Sequence, residues 1–135
     1  VSRAEDLWKQ LVHVVWETRD EWRQRVVAET GLPFGRIRAL WRLEAGPLPL
    51  RDLAHAMSTD APAATVAVDD LEARGLVRRT PHPTNGRMKL VALTPAGKRM
   101  VIRLAAVPDA PPPCFAALSP ADLAAVQRVV EAIRR

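Results

Sequence analysis

The feature that most limits what this chain can fold into is a change of hydrophobic period at Gly75. Up to that glycine, apolar residues recur every three or four positions; beyond it they follow strand spacing, and helical spacing returns at Thr94. Leu7, Trp8, Leu11, Val12, Val15, Trp22 and Val26 mark one long amphipathic helix over 4–28, with Glu5, Lys9, Arg19, Asp20 and Arg23 between them. A second helix starts near Pro33, where a missing N–H costs nothing, turns Phe34, Ile37, Leu40 and Trp41 to one side, and stops at Gly46. Pro49 opens a short third helix over 50–57. Ser58-Thr59-Asp60 breaks it, and Asp60 is a good N-cap for a fourth helix with Val68 and Leu71 inward, ending at Arg74-Gly75.

Two strands are expected next, 76–80 and 89–93. Asn85-Gly86 between them reads as a hairpin turn, because both residues tolerate positive φ. Thr94-Pro95 then starts a helix to about Val107, with Met100, Val101 and Leu104 inside. Pro108 to Pro113 interrupts it, and Ser119-Pro120 opens a last helix through Leu123, Val126, Val130 and Ile133. The expected class is therefore mainly α with a small β-wing: a winged helix-turn-helix over 31–94, flanked by helical segments at 1–30 and 95–135. A length of 135 residues suits one domain, and 48% apolar with 26% charged residues suits a packed core.

Charge placement narrows the function. The formal charge is +5, and eight basic residues lie between Arg74 and Arg103 with no acidic residue among them. Such a field attracts polyanions, nucleic acid foremost, though a merely solubilising surface carries the same charge. No apolar run reaches the roughly 18 to 20 residues that span a bilayer, and the first residues lack a signal-peptide stretch, so no membrane partner and a cytoplasmic setting are expected. Cys114 is alone, which excludes an intrachain disulfide and a cysteine zinc site. A reactive thiol needs electropositive neighbours, and Pro113 and Phe115 supply none, so Cys114 is read as a buried or half-buried bystander. His13, His55 and His82 have no metal spacing, and there is no phosphate loop or nucleophile motif, so neither an enzyme nor a cofactor is expected.

Several runs are similar to the MarR family of bacterial regulators. They are Leu53-Ala54, then Pro62, Thr65 and Val68-Asp69, then Leu71-Glu72-Ala73-Arg74-Gly75-Leu76-Val77-Arg78-Arg79, and finally Arg87 with Val91, Leu93-Thr94-Pro95-Ala96-Gly97. The resemblance covers roughly residues 31–103. It implies a homodimer whose N- and C-terminal helices interlock, 1–30 and 95–135 being the dimerisation segments, on double-stranded DNA, as a repressor. An apolar first helix carrying Trp8, Trp16 and Trp22 agrees with an interface, although each tryptophan could equally be an ordinary core residue.

The resemblance places DNA contacts in the first turns of the fourth helix, here Asp60, Ala61, Pro62, Ala63, Ala64 and Thr65, and at the wing. Thr65 can donate to a base edge or a phosphate. No Lys or Arg stands between Thr59 and Ala73, and Asp60, Asp69, Asp70 and Glu72 make this helix acidic, so strong guanine readout is not expected. The wing should therefore carry the grip. Arg87 is the first candidate, with Lys89, Arg78 and Arg79 for the backbone, one of the two adjacent arginines being turned away by strand alternation. The resemblance also implies a small aromatic or lipophilic effector, with His13, Trp16, Arg38, Trp41 and Arg42 as candidate lining. The competing expectation is a winged-helix protein-interaction module, favoured by the acidic helix.

Overall fold

The computed structural model describes residues 1–135. Its first element, α1 (Arg3–Thr30), starts with a capping box: Ser2 Oγ accepts from Glu5 N, while Glu5 accepts from Ser2 N. It ends at Gly31, whose φ of +68° closes the helix in the left-handed region. Next come α2 (Phe34–Leu43), the two-residue strand β1 (Leu48–Pro49), α3 (Leu50–Ala56) and α4 (Ala61–Ala73). The strands β2 (Val77–Pro81) and β3 (Lys89–Leu93) follow, then α5 (Pro95–Ala105), a one-turn α6 (Pro113–Ala116) and α7 (Pro120–Ile133). The chain is thus mainly helical with one small antiparallel sheet of order β1-β3-β2. Leu48 pairs with Val91 on one side of β3, and Val77 with Leu93 on the other.

One hydrophobic cluster organises the molecule. Ile37, Leu40 and Leu43 of α2 meet Leu53 of α3, Val68 and Leu71 of α4, Val77 and Val91 of the sheet, and Val101 and Leu104 of α5. Val26 and Leu32 join it, so the core crosses the limits at 31 and 94 that the sequence suggested for the lobe. By contrast α7 and α6 bury no residue, and α1 buries only Val26. Trp22 packs against the core edge, stacked on Trp41 with ring centroids 5.6 Å apart, whereas Trp8 and Trp16 stand in the open.

The junction of wing and α5 explains why Leu-Thr-Pro-Ala-Gly accompanies Arg-Gly-Leu-Val in this chain. Thr94 caps α5 by accepting from Gly97 N at 3.0 Å, and its hydroxyl donates to the Gly75 carbonyl at 2.6 Å. Thr94 N donates to Leu76 O at 3.1 Å, and a Cβ on Gly97 would overlap that same carbonyl oxygen. Gly75 and Thr94, 19 residues apart, therefore lock their segments together, and only glycine at position 97 leaves the room.

Two expectations need correction here. Asn85 and Gly86 do not form a positive-φ hairpin turn: Ser58 is the single non-glycine residue with positive φ, and Gly86 is not among the positive-φ glycines. The seven residues 82–88 make a longer loop instead. His82 Nδ1 accepts from Thr84 N and Asn85 N, and Asn85 Oδ1 accepts from Arg87 N. Met88 N donates to Asn85 O at 3.0 Å, a four-residue turn that holds Arg87 at its apex. Cys114, read from its proline and phenylalanine neighbours as buried or half-buried, is exposed, because α6 is too short to turn a face onto the core.

Candidate nucleic-acid interface

The helix-turn-helix is set by local chemistry. α3 ends with Thr59 N donating to Ala54 O, which requires Ser58 to take a φ of +54°. The chain then enters α4 through Asp60, whose Oδ1 accepts from Ala63 N at 2.8 Å. Pro62 in the first turn forfeits no hydrogen bond. α4 buries Ala64, Ala67, Val68 and Leu71, and the opposite stripe of Pro62, Val66, Asp69 and Ala73 is exposed.

Of the six residues expected to meet a ligand at the start of α4, Asp60, Ala61, Pro62 and Ala63 are exposed and Thr65 is half-buried. Ala64 is fully buried and belongs to the core face, so it is withdrawn from the surface set. The Thr65 hydroxyl donates to Ala61 O at 2.9 Å, which leaves its oxygen lone pairs and its methyl for anything outside the helix.

The acidic side chains of α4 all have partners within the fold. Asp60 is spent as a cap. Asp70 accepts from Arg36 of α2 and from Arg74, each at 3.2 Å. The hydrogen bond from Arg74, with Arg36 beside it, holds the Asp70 carboxyl below the usual carboxylate range against the opposing effect of burial. Asp69 and Glu72 both take Arg79, at 2.6 and 2.8 Å, and Arg79 N also donates to Glu72 Oε2 at 3.1 Å. Arg79 is consequently turned onto α4, while Arg78, one step along the strand, stands on the other face with Leu43, Glu44 and Lys98 around it.

Of the eight basic residues between Arg74 and Arg103, three are tied within the fold: Arg74 to Asp70, Arg79 to α4 and Arg103 to Glu29. Arg78, Arg87, Lys89, Lys98 and Arg99 have no carboxylate partner. Arg87 and Lys89 share the rim of one open cleft with Asn85, Pro49 and Arg51, and the carboxylate-paired Arg79 lines it too. Arg51 is a residue that sequence reasoning missed. It sits at the start of α3, 38 residues from Lys89 in sequence; only the pairing of β1 with β3 brings α3 to the base of the wing. Its side chain is 84% exposed and its nearest carboxylate, on Asp52, is 4.0 Å away.

The residues expected around a small effector are only partly assembled. His13, Trp16 and Arg38 line one open depression with Glu17, Asp20, Arg23 and Phe34. His13 is paired with Glu17 at 3.0 Å. Trp41 is instead stacked on Trp22 and edge-on to Phe34, and Arg42 is exposed away from the depression. Among the described residues no cluster of His, Cys, Asp or Glu could hold a metal ion, and no helix is long and apolar enough to cross a membrane.

Residues 35–89 match the model of the MarR family. No curated protein matches the chain in sequence. Among solved structures, RV1404 from Mycobacterium tuberculosis is similar with a TM-score of 0.79 at 22% identity, covering 98% of this chain and 92% of that one. Apo MarR from E. coli superposes with a TM-score of 0.76 at 19% identity, over 93% of this chain and 95% of that one. Sco3205, a MarR family transcriptional regulator from Streptomyces coelicolor solved in complex with DNA, gives 0.68 at 20% identity, over 99% and 88%. At these identities the likeness establishes the winged-helix fold.

Proposed function

We propose, from the MarR family domain carried over residues 35–89, that this chain is a DNA-binding transcription regulator that grips duplex DNA as a homodimer. The observation that carries the reading is an exposed α4 entry whose one charge, Asp60, caps the helix, together with a cleft at the wing rimmed by Arg51, Arg79, Arg87 and Lys89. A helix of this width enters the major groove, and a wing beside it reaches backbone or minor groove. Arg87 at the turn apex is the leading contact, with Lys89 and Arg51 on phosphates and Asp60 to Ala63 and Thr65 along the groove. Such contacts give affinity and salt dependence before they give sequence preference. Arg78 is a peripheral phosphate candidate, since it lies on the opposite face of β2 from α4.

Dimerisation is supported by surface bookkeeping. The single chain exposes 9569 Å² at 14.9 kDa, against roughly 7,000 Å² for a folded monomer of that mass. The excess of about 2,600 Å² per protomer, roughly 5,200 Å² for a pair, matches the upper end of obligate interfaces. It lies on the arms: Leu7, Trp8, Leu11, Val14, Val15 and Trp16 of α1, and Leu123, Val129, Val130 and Ile133 of α7, are all exposed. A bound dimer acts most simply by covering its site, which makes repression the expected sign. The depression of His13, Trp16 and Arg38 between α1 and α2 is the place where a small aromatic or lipophilic anion would bear on both the arm and the lobe. A protein with these properties works in the cytoplasm.

The alternative, a protein-contact module, drew its support from the acidity of α4. With Asp60, Asp69, Asp70 and Glu72 all engaged inside the fold, that support is weaker. The test is titration of the protein against its own upstream duplex by fluorescence anisotropy at several salt concentrations, beside an Arg87→Ala variant. The expected result is binding that weakens steeply with salt, and an Arg87→Ala slope of log K on log salt shallower by about 0.9. Absence of duplex binding at low salt would overturn the regulator reading in favour of the module.

A further inference from the structure

Among the wing's cations Arg79 stands apart. Its side chain is 22% exposed, against 84% for Arg51, and it alone of the wing arginines closes on two carboxylates at once. Its backbone N–H donates to a third carboxylate oxygen, so strand and side chain together hold Glu72. Asp69 lies on the exposed stripe of α4 with Pro62 and Val66, about 10 Å along the helix from Pro62. That distance is about one Debye length at 0.1 M salt, so an uncompensated carboxylate there would be felt by phosphates lying along the helix.

Resting on the DNA-binding reading, we propose that Arg79 is a positioning residue that holds the Asp69 and Glu72 carboxylates, offsets one of their two charges and pins the wing to α4, and that it makes no phosphate contact of its own. Reaching a phosphate would require its guanidinium to abandon two short, charge-assisted hydrogen bonds and to leave two carboxylates bare beside the duplex. Arg87 and Lys89, which have no carboxylate partner, need give up nothing. The division of labour explains how a helix with no Lys or Arg between Thr59 and Ala73 can face a polyanion. Asp69, Asp70 and Glu72 draw their counter-charges from Arg79 of β2, Arg36 of α2 and Arg74, while Asp60 caps the helix N-terminus.

The proposal separates from a direct contact by rescue. Using the full-length protein, its upstream duplex and a salt titration, four proteins are compared: the parent, Arg79→Gln, the double variant Asp69→Asn with Glu72→Gln, and the triple variant combining all three. Arg79→Gln is expected to weaken binding by about tenfold or more, because two carboxylates are uncovered. The triple variant is expected to return to within about threefold of the parent with an unchanged salt slope, since no phosphate contact has been lost. A triple variant that stays as weak as Arg79→Gln, with a slope shallower by about 0.9, would show a direct phosphate contact and overturn the proposal. Should Arg79→Gln fail to fold, the double variant decides: a slope steeper by about 0.9 is expected as Arg79 is set free to meet phosphate, and an unchanged slope would count against it. The parent protein serves as the control for the underlying reading. If it binds duplex, regulator function stands whatever Arg79 does; if it does not, both fall together.

Discussion

The winged lobe and the helical arms are built from the same kinds of residue and end in opposite conditions. In the lobe, Ile37, Leu40, Leu53, Val68 and Leu71 are fully removed from water and serve one core. In the arms, Trp8, Trp16, Val130 and Ile133 recur at the same helical spacing and remain exposed. Apolar periodicity is therefore a statement about a face, and it leaves open which molecule supplies the cover. For the lobe the cover is the sheet and α5 of the same chain. For the arms we propose a second copy of the chain. On that reading the lobe presents α4 and the wing, and the arms would set how far apart two such lobes stand.

The sharpest way to break the contrast is at the lobe's backbone lock. Gly97→Ala drives a methyl group into the Leu76 carbonyl, which also receives Thr94 N, and a loss of about 4 kcal/mol or more is expected. Chemical denaturation measures it; a variant as stable as the parent would mean that α5 does not sit on the wing base as described. A paired truncation compares the two regions directly. Leu40→Ala should cost about 3 kcal/mol at every protein concentration, whereas Trp16→Ala should lower the melting temperature in a concentration-dependent way and shift the oligomeric state. Identical, concentration-independent effects of both would deny the arms a partner.

Smaller effects sharpen the electrostatics and the turn. The Asp70 carboxyl titrates below its ordinary range, so its contribution is complete above about pH 4 and disappears as pH falls through the lowered folded value. Asp70→Asn should thus be less stable than the parent at neutral pH, with the gap closing in acid; a gap that widens in acid would reverse the sign argued here. Ser58→Gly, relieving a left-handed residue between α3 and α4, should stabilise the lobe by about 0.5 kcal/mol and leave DNA affinity alone, as read from thermal melts and anisotropy.

Much of this molecule could be read from residues close together in the chain. Ser2 with Glu5, Asp60 with Ala63, Thr94 with Gly97 and Ser119 with Asp122 each satisfy an orphan donor within three positions, so the starts of α1, α4, α5 and α7 are written locally. Gly75 at φ +74° ends α4 for the same reason. The wing tip was legible only in outline: Asn-Gly suggests a two-residue turn, but His82 collects two amide donors and converts it into a seven-residue loop with Arg87 at its apex.

What lay beyond the sequence were the meetings of distant segments. Arg79 and Arg78 are indistinguishable neighbours until β2 lies along α4, when one finds Asp69 and Glu72 and the other does not. Arg51 looks like a lone surface charge until β1 pairs with β3 and brings α3 beside Lys89 and Arg87. Ala64, by contrast, was legible: it lies four and seven positions before Val68 and Leu71 and so shares their inward face. Helix caps act over three or four residues, at hydrogen-bond range, so sequence order alone determines them. Charge pairing and burial depend on distances that exist only after the core has closed, and for those the tertiary structure decides.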